Sequence, residues 1–133
     1  MNPIARRKKM KRTSKQVGGS HYETLKYEPV EAFIHYNLDW FQSEIIKYCS
    51  RFLRKNGKQD LAKAFQVADI AIGFGLDTDT DASKEFKGDN FLEEYISQFE
   101  YYEVMDKLMT AVINKDYVLV KYYINKLIEI YYG

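Results

Sequence analysis

The spacing of apolar residues constrains the fold of this 133-residue chain more than any other feature of its sequence. Apolar side chains recur every three or four positions in three long segments, which is the period of one face of an α-helix. The stripes are Phe41, Ile45, Tyr48 and Phe52; Phe91, Tyr95, Phe99, Tyr102, Met105, Met109 and Val112; and Val120, Ile124, Leu127 and either Ile130 or Tyr131. The pattern therefore predicts an all-α fold.

Helix-start signals place the first two helices. Pro29 suits the first turn of a short helix over 29–36, because proline lacks only an N–H that would be unpaired there. Asp39 and Gln42 have the spacing of a capping box ahead of a longer helix over 39–55.

A turn signal then predicts that the chain doubles back. Asn56-Gly57 is a strong stop, because glycine readily adopts the left-handed conformation that ends many helices. A return helix over 58–75 should pack against the preceding one as an antiparallel hairpin. The remaining chain is predicted to form a polar, acidic loop over 76–90 and two further helices, over 91–113 and 117–131.

Charge divides the chain unevenly. Residues 1–20 contain seven basic and no acidic side chains, whereas residues 21–133 contain 13 basic and 19 acidic ones. A disordered basic tail over 1–20 is therefore expected before a single all-α domain over 21–133. The tail could contact nucleic acid or only solubilise the chain; the acidic body should not bind duplex nucleic acid broadly.

Composition also bears on location. Cys49 is the single cysteine, so no intrachain disulfide can form and a reducing compartment is the natural setting. No apolar run approaches the roughly 18 residues of a membrane-spanning helix, and no apolar stretch follows the basic N-terminus, so a secretory signal is not expected. We therefore expect a cytoplasmic protein with no membrane partner.

Basic side chains gather where the hairpin turns. Cations follow one another at helical spacing along the polar face of 39–55 and continue past the turn, where the return helix exposes unpaired amides. Glu44 and Asp60 could orient these cations or hold a magnesium ion. The arrangement predicts a site for a phosphate-bearing ligand, and the alternative is an ordinary solvated face. The cations are Lys47, Arg51, Arg54, Lys55, Lys58 and Lys63.

A series of short motifs in a fixed order adds to this prediction. The motifs are His21-Tyr22, Glu28-Pro29-Val30-Glu31, Leu38-Asp39-Trp40, Ile46-Lys47-Tyr48 with Arg51, Lys55-Asn56-Gly57, and Asp60-Leu61-x-Lys63-Ala64. In this order and spacing they resemble the SaV-like family of small phage proteins of unknown function, which includes a phage deoxynucleoside monophosphate kinase. Segment 21–75 would be the family-like core. This chain has Glu44 where the family usually has asparagine.

The resemblance and the cation cluster together predict a nucleotide site. Its expected members are His21, Tyr22, Lys47, Tyr48, Arg51, Lys55, Lys58, Asp60 and Lys63. The first hypothesis is phosphoryl transfer to a deoxynucleoside monophosphate, with magnesium accompanying the nucleotide and no catalytic residue assigned. The chain lacks a G-x-x-x-x-G-K-[ST] sequence, so such a site would not be a P-loop.

Two alternatives remain open at this stage. The protein could sequester a nucleotide or a nucleotide signal without turnover. It could also be an all-α pyrophosphohydrolase, in which helical acids such as Glu28 and Glu31 would bind magnesium.

The tyrosines suggest that the protein self-associates. As a phage-type protein it would do so in the cytoplasm of an infected bacterial host. The tyrosines are concentrated in a helical pair over 91–133, which is too small to bury them all. A homo-oligomer is therefore predicted. The residues are Tyr95, Tyr101, Tyr102, Tyr117, Tyr122, Tyr123, Tyr131 and Tyr132.

Overall fold

A computed structural model describes residues 25–77 and 84–133, and all regular structure within these two ranges is helical. The all-α prediction is thus confirmed. The predictions for the tail over 1–20 and for His21 and Tyr22 concern residues outside these ranges. The elements are α1 (Pro29–His35), α2 (Trp40–Arg51), a 3₁₀ turn (Phe52–Arg54), α3 (Lys58–Gly73), α4 (Asn90–Ile96), α5 (Tyr102–Ile113) and α6 (Tyr117–Tyr132).

The predicted hairpin forms, and its local signals act as expected. The Asp39 carboxylate accepts the Gln42 backbone N–H at 2.9 Å, and the Gln42 side chain accepts the Asp39 N–H at 2.9 Å. Gly57 has a φ of +59°, and an added Cβ would lie 3.2 Å from the Tyr132 hydroxyl oxygen. The positive φ therefore favours glycine at this turn, and a side chain here would also require the Tyr132 hydroxyl to shift by a few tenths of an ångström.

Helix α3 lies between α2 and α6. Its buried face includes Ala64, Ala68 and Ala71, which are all fully buried. Such small side chains let neighbouring helices approach closely. Gly57 lies near Tyr132, and Asp69 contacts Lys121, so α3 and α6 run antiparallel.

The single helix predicted over 91–113 is wrong. The chain forms α4 and α5 instead, with a break between Ile96 and Tyr102. The break turns Tyr101 into the core, where it is 7% exposed and its hydroxyl donates to the Cys49 carbonyl at 2.6 Å, while Tyr102 is 50% exposed. The buried hydrogen bond and the burial of Tyr101 favour this rotation over an uninterrupted helix.

None of the described helices has both the length and the apolar character that crossing a lipid bilayer requires.

Two buried tyrosines provide a matched test of this core. Within the described residues, the Tyr117 hydroxyl is buried without a hydrogen-bond partner, whereas the Tyr95 hydroxyl lies 2.8 Å from the Ser50 hydroxyl. Tyr117→Phe should raise the free energy of unfolding by about 1 kcal/mol, and Tyr95→Phe should lower it by about 1–2 kcal/mol. Urea denaturation measures both changes. Equal effects from the two substitutions would contradict this account.

Candidate functional site

A cleft between α1 and the C-terminal part of α2 combines an apolar wall with a cationic rim. Its volume is about 220 Å³, below the roughly 300–1,000 Å³ typical of small-molecule pockets. A nucleotide would fill the cleft and extend beyond it. The apolar wall is formed by Leu25, Pro29, Val30 and Phe33, and the charged rim by Glu28, Lys47, Arg51, Arg54 and Lys55. We call this the α1–α2 cleft.

The rim gathers its cations because they share one face of the chain around the end of α2. Lys47, Arg51 and Lys55 are spaced four apart, so each lies about one turn beyond the last. Nearby acids balance part of this charge: Glu44 pairs with Lys47 at 2.6 Å, and Asp60 pairs with Arg51 at 3.3 Å. The described rim remains more basic than acidic.

Arg51 is held by a buried carboxylate. Its Nε and Nη2 atoms each lie 3.3 Å from an oxygen of Asp60. The two Asp60 oxygens also accept the backbone N–H and the side-chain amide of Asn56, each at 3.3 Å. Asp60 thereby fixes the Arg51 guanidinium and the hairpin turn at once.

The prediction that Asp60 contacts the ligand is wrong. Its side chain is completely buried and cannot touch a molecule in the cleft. The alternative role predicted for it, orienting a cation, is the one the structure has. As the third residue of α3, the acid also lies at the positive end of the helix dipole.

The Tyr48 ring makes cation–π contacts with side chains from both helices of the hairpin. Its ring centroid lies 4.7 Å from the Lys47 ammonium, 4.9 Å from the Arg51 guanidinium carbon and 5.8 Å from the Lys63 ammonium. Contacts of this kind are attractive because the face of an aromatic ring is electronegative. Lys63 therefore adds to the local positive field, although it is not among the residues lining the cleft.

Other predicted site residues lie elsewhere. Lys58 is exposed at the start of α3 and is not among the residues that line the cleft. Trp40, the last residue of the Leu38-Asp39-Trp40 motif, begins α2 and so lies at the opposite end of that helix.

The sequence-based site omitted part of this arrangement. Arg54 belongs to the predicted cation cluster but not to the predicted nucleotide site, and it lines the rim while donating to the Ser50 carbonyl at 3.4 Å. The apolar wall was missed altogether. Its signal was the run Pro29, Val30 and Phe33 on a very short helix, which cannot bury every apolar side chain against one neighbour.

Glu31, one of the acids considered as a magnesium ligand, and Cys49 are both buried. Glu31 accepts the Glu28 backbone N–H at 2.8 Å and is 7% exposed, so it closes the start of α1. Across 25–77 and 84–133, no three His, Cys, Asp or Glu side chains form a group that could hold a metal ion. Burial raises the pKa of the Cys49 thiol, which disfavours the reactive thiolate.

A larger cavity, of about 410 Å³, lies beside α5 and α6. Its lining carries both signs of charge, with Glu85, Asp106 and Asp116 beside Lys87 and Lys107. The acidic side chains therefore offset the attraction that the two lysines would exert on a phosphate. The α1–α2 cleft has four cations and one acid in its lining, so of these two cavities its charge is the more favourable for an anion.

Residues 16–69 match the model of a family described as proteins of unknown function (DUF3310). The matched segment includes α1, α2 and α3 as far as Asp69, and with them every described residue that lines the α1–α2 cleft. No curated protein and no solved structure matches the chain.

Proposed function

We propose that the α1–α2 cleft binds a nucleotide, with its phosphate at the cationic rim and its base or sugar against the apolar wall. The observation that carries this proposal is the placement of Lys47, Arg51, Arg54 and Lys55 beside a wall of uncharged side chains. A ligand that has one anionic end and one flat, weakly polar end fits this division. Lysines act as mobile point charges on phosphate oxygens, and an arginine adds a planar donor.

The cations of the rim have different roles in this proposal. Arg51 has two of its nitrogens on Asp60, so it chiefly shapes the rim and holds a fixed positive charge there. Lys55 lies at the end of the rim and is exposed, which allows its ammonium group to move onto a phosphate. Lys47 can exchange its contact with Glu44 for a phosphate oxygen.

The activity we propose is phosphoryl transfer to a deoxynucleoside monophosphate. The resemblance to SaV-like phage proteins supports it, and the match to a family of unknown function over residues 16–69 is compatible with it. In the transfer, an acceptor phosphate oxygen bonds to the transferred phosphorus as the bond to the donor breaks. The rim cations would stabilise negative charge during that exchange. Magnesium bound to the nucleotide's own phosphates would supply further neutralisation.

This proposal implies a cytoplasmic protein of an infected bacterial host. The pyrophosphohydrolase alternative is less well supported, because Glu31 is only 7% exposed and one of its oxygens accepts the Glu28 backbone N–H at the start of α1.

The test is a binding and turnover assay on the full chain. Deoxynucleoside monophosphates and nucleoside triphosphates are titrated by calorimetry with and without magnesium. Each pair is then incubated together, and the products are separated by anion-exchange chromatography. We expect micromolar binding of at least one monophosphate and magnesium-dependent formation of its diphosphate.

The outcomes separate the functional classes. Binding without product would favour sequestration over transfer. Release of pyrophosphate from a triphosphate alone would favour a pyrophosphohydrolase. Failure of every nucleotide to bind would reject the nucleotide site itself.

A further inference from the structure

The ring of Tyr48 lies among the cations of the hairpin without forming part of the cleft. The sequence predicts Tyr48 as a member of the nucleotide site, but it is not among the residues that line the α1–α2 cleft. Three cations surround its ring instead: Lys47 and Arg51, which line the cleft, and Lys63, which belongs to α3. A role of Tyr48 at the rim would therefore be exerted through these cations.

Three like charges gathered in this way repel one another. Each lies within 5.8 Å of the same ring centre, so their mutual separations are comparable with the Debye length of about 8–10 Å, and salt screens the repulsion only in part. Glu44 offsets the charge of Lys47, and Asp60 offsets that of Arg51. Two of the three cations are therefore balanced by a neighbouring acid.

Lys63 depends on the ring for its place in the cluster. It forms no ion pair with an acid of residues 25–77 or 84–133. Its ammonium group lies 5.8 Å from the centre of the Tyr48 ring, whose electronegative face attracts it. Replacing the ring by an aliphatic side chain would remove this attraction and leave the repulsion from Lys47 and Arg51.

The core holds the ring in place. Tyr48 is partly buried and packs against the hydrophobic core, and two torsion angles suffice to position its ring. The flexible lysines thus have a fixed partner, while each ammonium group keeps N–H donors that point away from the ring. Cations gathered before an anion arrives lose less conformational freedom when it binds.

We propose that Tyr48 is a positioning residue of the phosphate site, whose ring gathers Lys47, Arg51 and Lys63 so that they bind an anion together. This role rests on the proposed binding of phosphate at the rim, but it depends neither on the base that the cleft would hold nor on turnover. It gives Lys63 a part in anion binding, although Lys63 does not line the cleft.

The first measurement needs no ligand. An aromatic ring moves the NMR signals of protons above its face to higher field, so the methylene protons beside the charged groups of Lys47, Arg51 and Lys63 report the contacts directly. We expect these signals to be shifted in the wild-type chain and in Tyr48→Phe, which keeps the ring. In Tyr48→Leu, which keeps an apolar side chain but has no aromatic face, they should return to random-coil positions.

The second measurement titrates inorganic pyrophosphate, which needs no apolar wall to bind. By calorimetry we expect Tyr48→Leu to weaken pyrophosphate binding about three- to tenfold and Tyr48→Phe to weaken it less than about twofold. Tyr122→Leu is the matched control, because it removes a ring 5.2 Å from the Lys126 ammonium on α6 and should leave the affinity unchanged.

Two lysines of α3 supply a further comparison that holds even if Tyr48→Leu fails to fold. Lys63→Ala should weaken pyrophosphate binding by at least about threefold, because it removes a cation gathered by the ring. Lys58→Ala removes the same charge at the exposed start of the helix and should have a smaller effect. Equal effects of the two substitutions would contradict the proposed role of the ring.

The remaining outcomes separate this role from the nucleotide function. Random-coil signals for the three cations in the wild-type chain would overturn the positioning role, and so would equal pyrophosphate affinities in wild type and Tyr48→Leu. Failure of pyrophosphate to bind the wild-type chain would reject the phosphate site together with the role of Tyr48. Ring-dependent binding of pyrophosphate by a chain that binds no nucleotide would support the positioning role and reject the nucleotide function.

Discussion

Replacing Arg51 by alanine should lower the free energy of unfolding by about 3–5 kcal/mol, because it would leave a buried carboxylate without its cation. Asp60 is fully buried, and the Arg51 side chain is 19% exposed. The Asn56 contacts remain in the variant, but an amide supplies only dipoles where the guanidinium supplied a charge. Urea denaturation followed by circular dichroism measures the loss.

Two comparisons isolate the cause. Lys47→Ala removes a cation from the same face but breaks only the partly exposed pair with Glu44, so it should cost no more than about 1 kcal/mol. The double substitution Arg51→Met with Asp60→Leu removes both charges and should recover much of the stability. An Arg51→Ala protein as stable as wild type would show that the ion pair contributes little.

This expectation reverses one drawn from the sequence. Arg51 lies among polar residues at helical spacing, which predicts a solvated side chain whose loss leaves stability unchanged. Its partner lies nine residues later, across the turn, and a helical pattern gives no sign that Asp60 faces inward. Only the packed hairpin brings the acid beneath the arginine. Arg51 variants are consequently poor reporters of ligand binding, because they disturb the turn as well as the rim.

The sequence predicts the local structure correctly where a single interaction between residues close in the chain determines it. The Asp39–Gln42 capping box and the Gly57 turn depend on backbone groups a few residues away, and both form as the sequence predicts. The break between α4 and α5 could not be found in this way. It depends on Tyr101 reaching the Cys49 carbonyl, which is a contact between segments far apart in the chain.

The candidate site likewise has one part that local spacing predicts and one part that depends on how the helices pack. Helical spacing correctly groups Lys47, Arg51 and Lys55, which all line the cleft. The opposite wall comes from α1 and the residue Leu25 before it, and its position depends on how α1 packs on α2. Lys58 follows Lys55 by three residues across the turn at Gly57, but it is not among the residues that line the cleft.

Lys55 and Lys58 therefore discriminate between the cleft and the end of the hairpin as the phosphate site. Both are exposed lysines, so alanine at either position removes one charge with little effect on stability. If a nucleotide binds in the cleft, Lys55→Ala should weaken its affinity ten- to a hundredfold, equivalent to about 1.4–2.7 kcal/mol. Lys58→Ala should weaken it less than about threefold, through its long-range field alone.

Calorimetry on the full chain at one fixed ionic strength measures both affinities, and Arg12→Ala in the basic N-terminal segment is the control for the loss of one positive charge outside the predicted site. Equal losses from Lys55→Ala and Lys58→Ala would place the phosphate at the end of the hairpin, beside the amides that open α3. Unchanged affinity in Lys55→Ala and Lys47→Ala would remove the cleft from consideration, even for a nucleotide that wild type binds well. We expect a loss of nucleotide affinity only in Lys55→Ala and Lys47→Ala. A direct ammonium–phosphate contact acts only over a few ångströms, and dissolved salt screens most of the attraction of a charge one Debye length away.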